Sequence, residues 1–89
     1  MKLREEFLLT PMGESCVLVP VGKAADQFHG VVKLNETAAF IVWQLKSETN
    51  VDKIVDAMAA EYEGTREQFT EGVQVTLTQL RTIGALSEQ

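Results

Sequence analysis

The run Leu34-Asn35-Glu36-Thr37-Ala38-Ala39-Phe40-Ile41-Val42-Trp43 constrains the fold of this chain more than any other stretch, because it joins a short β-branched segment to an almost wholly apolar helix through a capped junction. Asn35 is a favoured N-cap: its side-chain oxygen can accept from an amide of the first turn that has no partner within the helix. Glu36 adds negative charge at the positive end of the helix dipole. The junction predicts a helix from Glu36 to about Lys46. Ala38, Ala39, Phe40, Ile41, Val42, Trp43 and Leu45 cover most of its circumference, the pattern of a helix enclosed on most sides, and Phe40 and Trp43 are expected in the core. The preceding segment, Gly30 to Leu34, reads as a strand that ends at the helix.

Upstream, Glu6 to Pro11 and Ser15 to Val19 read as the two strands of a hairpin around Met12-Gly13-Glu14, the glycine supplying the positive φ of a tight turn. Pro20 lacks a ladder donor and should close the second strand, leaving Val21 to His29 as a loop. Downstream, Ser47-Glu48-Thr49-Asn50 is a polar break. Val51, Ile54, Val55, Met58 and Tyr62 then recur at helical spacing with charges opposite. Gly64 suits the end of that helix, and Thr65 with Gln68 matches a capping box that opens another. In this last helix Phe69, Val73, Leu77, Leu80 and Ile83 form a stripe at steps of four and three. Val73, Val75 and Leu77 also alternate with Gln74, Thr76 and Thr78, as in a strand, but the stripe extends both ways and the capping agrees with helix. The expected architecture is α+β: a three-stranded antiparallel sheet followed by three helices.

Composition narrows the function. A chain of 89 residues at 45% apolar content suits one domain, residues 1–89, with a modest core. A net charge of −5 argues against nucleic acid, whose phosphates are met by clustered Lys and Arg. The single cysteine, Cys16, has no internal disulfide partner, and the acids in MKLREEFLL do not suit a signal peptide, so a cytoplasmic setting is expected. No apolar run approaches the roughly 20 residues that cross a bilayer, so no membrane role is expected. His29, the only histidine, has no second ligand at metal spacing, and Cys16 has no visible base beside it. Glu5, Glu6, Glu61 and Glu63 read as solvated charge. With no phosphate loop and no paired catalytic carboxylates, the reading is a protein that is not an enzyme and holds no cofactor or metal.

One feature remains for function. From Gly72 to Leu80 the last helix carries no charged residue, and beside its apolar stripe lies a second face of Gly72, Val75, Thr76 and Gln79. Such a face either packs internally or lines a groove kept for a partner. Only the groove leaves Val75 and Gln79 open in the free protein.

The segment VLVPVGKAADQFHGVVKLNETAAFIVW, Val17 to Trp43, resembles the PqqD-like proteins, named for a factor in pyrroloquinoline quinone biosynthesis. The matching residues are Val19, Pro20, Gly22, Phe28, Gly30, Leu34, Asn35, Thr37 and Trp43; Ile54, Tyr62, Phe69, Leu80, Gly84 and Leu86 match less specifically. The resemblance implies a winged helix-turn-helix-like recognition element for ribosomally made, post-translationally modified peptides. Such an element binds the leader of a precursor peptide and delivers it to a modifying enzyme, which for PqqD itself is a radical S-adenosylmethionine (SAM) enzyme and for its relatives can be a modifying enzyme of another type. In that family the leader joins the third strand as an extra strand and fills a groove against the last helix. Carried over, the strand is Gly30, Val31, Val32, Lys33 and Leu34, with Val31 to Lys33 under the peptide backbone. The groove wall is Val73, Thr76, Leu77 and Leu80, with Gly72, Val75 and Gln79 on the charge-free face beside it.

Two rival readings use the same fold. A winged-helix DNA binder would need Arg, Lys, Asn or Gln along its recognition helix, where this chain has Arg66 and Arg81 at opposite ends and an apolar middle. A structural or dimerisation subunit would pair its own strand edge with a second copy, which leaves monomer and homodimer both open.

Overall fold

The computed structural model describes residues 1–88. In chain order the elements are β1 (Lys2–Leu3), β2 (Phe7–Met12), β3 (Ser15–Pro20), α1 (Lys23–Gln27), β4 (Val32–Leu34), α2 (Glu36–Gln44), α3 (Val51–Glu61), α4 (Arg66–Thr82) and β5 (Leu86–Ser87). The strands β2, β3 and β4 form an antiparallel sheet in that order, and β1 pairs separately with β5.

Capping chemistry sets where the helices begin. Asn35 Oδ1 accepts from the Ala38 amide at 2.8 Å and opens α2; Asn50 Oδ1 does the same for the Lys53 amide at 2.9 Å and opens α3. At α4 the box is reciprocal: the Gln68 amide donates to Thr65 Oγ1 at 3.1 Å, and the Thr65 amide donates to Gln68 Oε1 at 3.0 Å. These caps decide between helix and strand for the ambiguous middle of the last segment, which is one helix of 17 residues. Just before it, Gly64 has φ 152°, and a Cβ there would lie 3.2 Å from the Phe69 ring. The backbone angle and the closeness of the ring both favour glycine there.

The β2–β3 hairpin turns at Gly13, with φ 64°, and its register runs from Phe7 opposite Pro20 to Met12 opposite Ser15. Both strands are one residue longer than the sequence suggests at the Met12 and Pro20 ends. Pro11 lies in an edge strand, and Pro20 lies beyond the reach of β4, which covers only Cys16 to Leu18 of β3. A missing N–H costs nothing to the ladder where no neighbour accepts from it.

Four further features depart from the sequence reading. The expected loop of Val21 to His29 contains the short helix α1, which buries Ala24 in the core. The third strand of the sheet is shorter than Gly30 to Leu34: Gly30, at φ 106°, and Val31 lie outside it. The helix from Glu36 ends at Gln44 rather than Lys46, and Trp43 is 59% exposed instead of buried. At about 100° of turn per residue, Ile41, Val42 and Leu45 fall on one side of α2 and Trp43 falls opposite. Its ring is met instead by the Lys46 ammonium, 4.5 Å from the ring centroid. Phe40, on another flank, is half-buried edge-on to Tyr62 at 5.4 Å. Lastly, the β1–β5 pair, Lys2 opposite Ser87 and Leu3 opposite Leu86, was not legible in segments of two residues each.

One hydrophobic core unites these parts. Leu18 of the sheet, Ile41 and Val42 of α2, Leu45 just after it, Ile54 and Val55 of α3, and Val73 and Leu77 of α4 are among its fully buried members. Leu3 and Leu86 bring the small sheet to the same core, and the Leu3 amide donates to the Leu45 carbonyl at 2.8 Å. No helix among the described residues is long and apolar enough to cross a membrane.

A candidate peptide-binding groove

Strand β4 is hydrogen-bonded to β3 on one side and, among the described residues, has no strand on the other. That open edge faces α4 across a groove of about 310 Å³ lined by Val32, Lys33 and Leu34 from the strand and by Thr76, Gln79, Leu80, Thr82 and Ile83 from the helix and its end. Lys33 is its one charged lining residue. The groove exists because the capped junction at Asn35 turns the chain directly from β4 into α2, while α4 lays its stripe on the shared core and its uncharged flank beside the strand.

The expected residues separate into four groups. Val32, Lys33, Leu34, Thr76, Gln79 and Leu80 line the groove together. Gly72 and Val75 line an adjoining hollow of about 400 Å³ with Asn35, Thr37, Ala38, Gln68 and Glu71, and this hollow shares Thr76 and Gln79 with the groove. Val75 is 54% exposed, a high value for an apolar residue in the middle of a helix, and Gln79 is also exposed. Gly30 and Val31 precede the strand at its other end, with Val31 exposed.

Val73 and Leu77 do not belong to the wall. Both are 0% exposed and lie in the core, because they sit at the centre of the stripe spaced by four that α4 turns inward. Thr82 and Ile83 take part where the sequence reading had not placed them. Ile83 ends the same apolar stripe, so its spacing was a usable signal; Thr82 carried none.

A third hollow, of about 440 Å³, shares Thr82 and Ile83 and extends from Arg81 around the end of α4 to Arg4, Glu6, Phe7, Gln27 and Phe28. Its cations are already paired: Arg4 with Glu6 at 3.0 Å and Arg81 with Glu88 at 2.8 Å. The Arg81 guanidinium, through its hydrogen bonds, lowers the Glu88 carboxyl below its ordinary range. With only Phe7 of the edge strand β2 in its lining and with paired charge at its mouth, this hollow is less suited to an extended peptide than the groove at β4.

Among the described residues no three of His, Cys, Asp and Glu gather as a metal site. His29 is exposed and Cys16 is half-buried on β3.

Comparison with known proteins bears on this geometry. A family model described as coenzyme PQQ synthesis protein D (PqqD) matches residues 15–86. Among curated proteins the comparison finds no match. Two solved structures share the fold. One is TbiB1 in complex with the TbiA(beta) leader peptide, at a TM-score of 0.80 and 20% identity, covering 100% of this chain and 98% of that one. The other is a lasso peptide synthetase B1 complexed with the leader peptide, at a TM-score of 0.77 and 23% identity, covering 98% of this chain and 96% of that one.

Proposed function

The chain belongs to the coenzyme PQQ synthesis protein D (PqqD) family, and from that premise we propose that it is a non-catalytic peptide carrier that captures the leader of a ribosomally made precursor and presents it to a modifying enzyme. The leader adds to β4 as a fourth strand, and its apolar side chains enter the groove against α4. The observation that carries this reading is the juxtaposition of an open strand edge with an apolar, charge-poor groove. Two proteins of the same fold, named as complexes with leader peptides, support it.

Magnitudes divide the work between backbone and groove. Micromolar affinity corresponds to about 8 kcal/mol after the losses of association. A strand of three residues offers only a few outward hydrogen bonds, each contributing about 0.5–1.5 kcal/mol. Apolar side chains must therefore supply the rest, at roughly 1.5–3 kcal/mol for each that is well buried. Backbone pairing is indifferent to sequence, so specificity falls to the groove. The enzyme that receives the leader is, by the family resemblance, of the radical SAM type, and the encounter takes place in the cytoplasm.

Fluorescence anisotropy tests the proposal, using a labelled leader segment from a short precursor encoded beside the gene. Saturable binding, competed by the unlabelled leader and not by its core segment, is the expected result. Absence of saturable binding, or self-association of the protein through the same edge, would overturn it.

A further inference from the structure

Gly72 lies inside α4, where glycine is unfavourable relative to alanine because it leaves more backbone freedom to be lost. Nothing in the fold explains it: its φ is not positive, and a Cβ built there meets no atom within 4 Å. The missing side chain keeps open a hollow rather than accommodating a neighbour. That hollow adjoins the groove at β4, with Thr76 and Gln79 in the lining of both. It begins where β4 ends, at Asn35, so a peptide lying along the strand edge passes over it on leaving the strand.

The lining specifies what would fit. Ala38, Gly72 and the exposed Val75 are its apolar lining, Asn35, Thr37, Gln68, Thr76 and Gln79 are uncharged polar residues around them, and Glu71 is the only charged residue of the wall. Glu71 has no ion pair among the described residues, in contrast to the arginines at the opposite end of α4, which are paired with Glu6 and Glu88. An apolar lining with an unpaired carboxylate matches a side chain with an aliphatic stem and a cationic head. The chain's net charge of −5 favours the same sign of ligand.

We propose that this hollow is a second subsite of the leader groove, which takes a lysine or arginine from the part of the leader flanking the paired segment at the Asn35 end. The stem lies over Gly72 and Val75, and the head meets Glu71. This inference rests on the strand-addition reading above and adds a charge rule to it: the groove selects an apolar anchor, and the hollow selects a cation at a fixed distance along the peptide.

The test uses an mRNA-displayed library of short randomised peptides, selected in parallel on the wild-type protein, Glu71→Lys and Gly72→Leu. Both substitutions are at surface positions that the core does not use. The expected result is a wild-type consensus of an apolar anchor with Lys or Arg at one fixed offset. Glu71→Lys should replace that cation by Asp or Glu, and Gly72→Leu should erase the preference at that offset and leave the anchor. Replacing the cation by alanine in a selected peptide should weaken binding to the wild type about fivefold. An anchor with no charge preference, or a preference indifferent to both substitutions, would overturn the subsite and leave strand addition standing. Selected peptides that move no amide resonance of β4 would overturn the reading on which the subsite depends.

Discussion

Helix α4 presents two faces that the same 17 residues build for different ends. On one, Phe69, Val73, Leu77 and Leu80 are buried and hold the helix to the core; on the other, Gly72, Val75 and Gln79 are uncharged and yet not enclosed. A solvated face ordinarily carries charge, and a packed face is ordinarily covered. The second face is neither. Stability is thus concentrated in the stripe, while the uncharged flank has little structural work and is open to recognition.

The two edges of the sheet differ in a parallel way. β2 is six residues long and offers the longer backbone edge, but it contains Pro11, and the hollow at its start, which only Phe7 of the strand lines, opens among paired charges. β4 is half that length, with a groove against α4. What favours β4 as a receiving strand is the pocket for side chains, not the number of free backbone groups.

Substitutions across α4 would break this contrast if it is wrong. The largest effect is expected from Leu77→Asp, which places a carboxylate without a partner in the core and should abolish cooperative unfolding in urea. Leu77→Ala should cost about 2–5 kcal/mol in the same measurement. Val75→Asp, two residues away, should leave stability within about 0.5 kcal/mol. It should nevertheless weaken leader binding about tenfold or more by anisotropy, as expected when a contact of about 1.4 kcal/mol or more is lost. Loss of fold in Val75→Asp, or unchanged binding with the fold intact, would place recognition elsewhere. Gly72→Ala should raise stability by up to about 1 kcal/mol, because the added methyl meets nothing and the helix gains propensity.

The smallest expected effect concerns pH. The Glu88 carboxyl is lowered by Arg81, so its folded-state value lies below its unfolded one. The pair's contribution is therefore present above the unfolded carboxylate value and is lost as pH falls through the folded one. Both groups are exposed, so the melting temperature of Glu88→Gln should differ only slightly from wild type near neutrality, and the difference should vanish in acid.

Much of this was legible in the chain because local chemistry and tertiary demand agree there. Asn35, Asn50 and Thr65 with Gln68 are caps whose partners lie three residues away, so their signal is contained in the sequence. The stripe of α4 is as regular as the face it covers. Trp43 was misplaced because an almost wholly apolar helix leaves its buried side undefined until neighbours choose it; α3, α4 and the sheet took the side of Ile41, Val42 and Leu45. The β1–β5 pair depends on contacts between the two ends of the described chain, which no local window contains. Within the groove, Val32 to Leu34 and the flank of α4 were read from the resemblance and from the missing charge. Val73 and Leu77 were assigned to the wall although their own spacing belongs to the core.

The central claim is that a leader adds to the open edge of β4 and fills the groove beside α4. Its most direct test is an amide-resonance titration of the isotope-labelled protein with the leader segment. Saturating shifts at Val32 to Leu34 and along Gly72 to Ile83, with those of β2 unmoved, are the predicted result. Shifts centred on β2, or on the hollow between Arg4 and Arg81 with β4 silent, would contradict it.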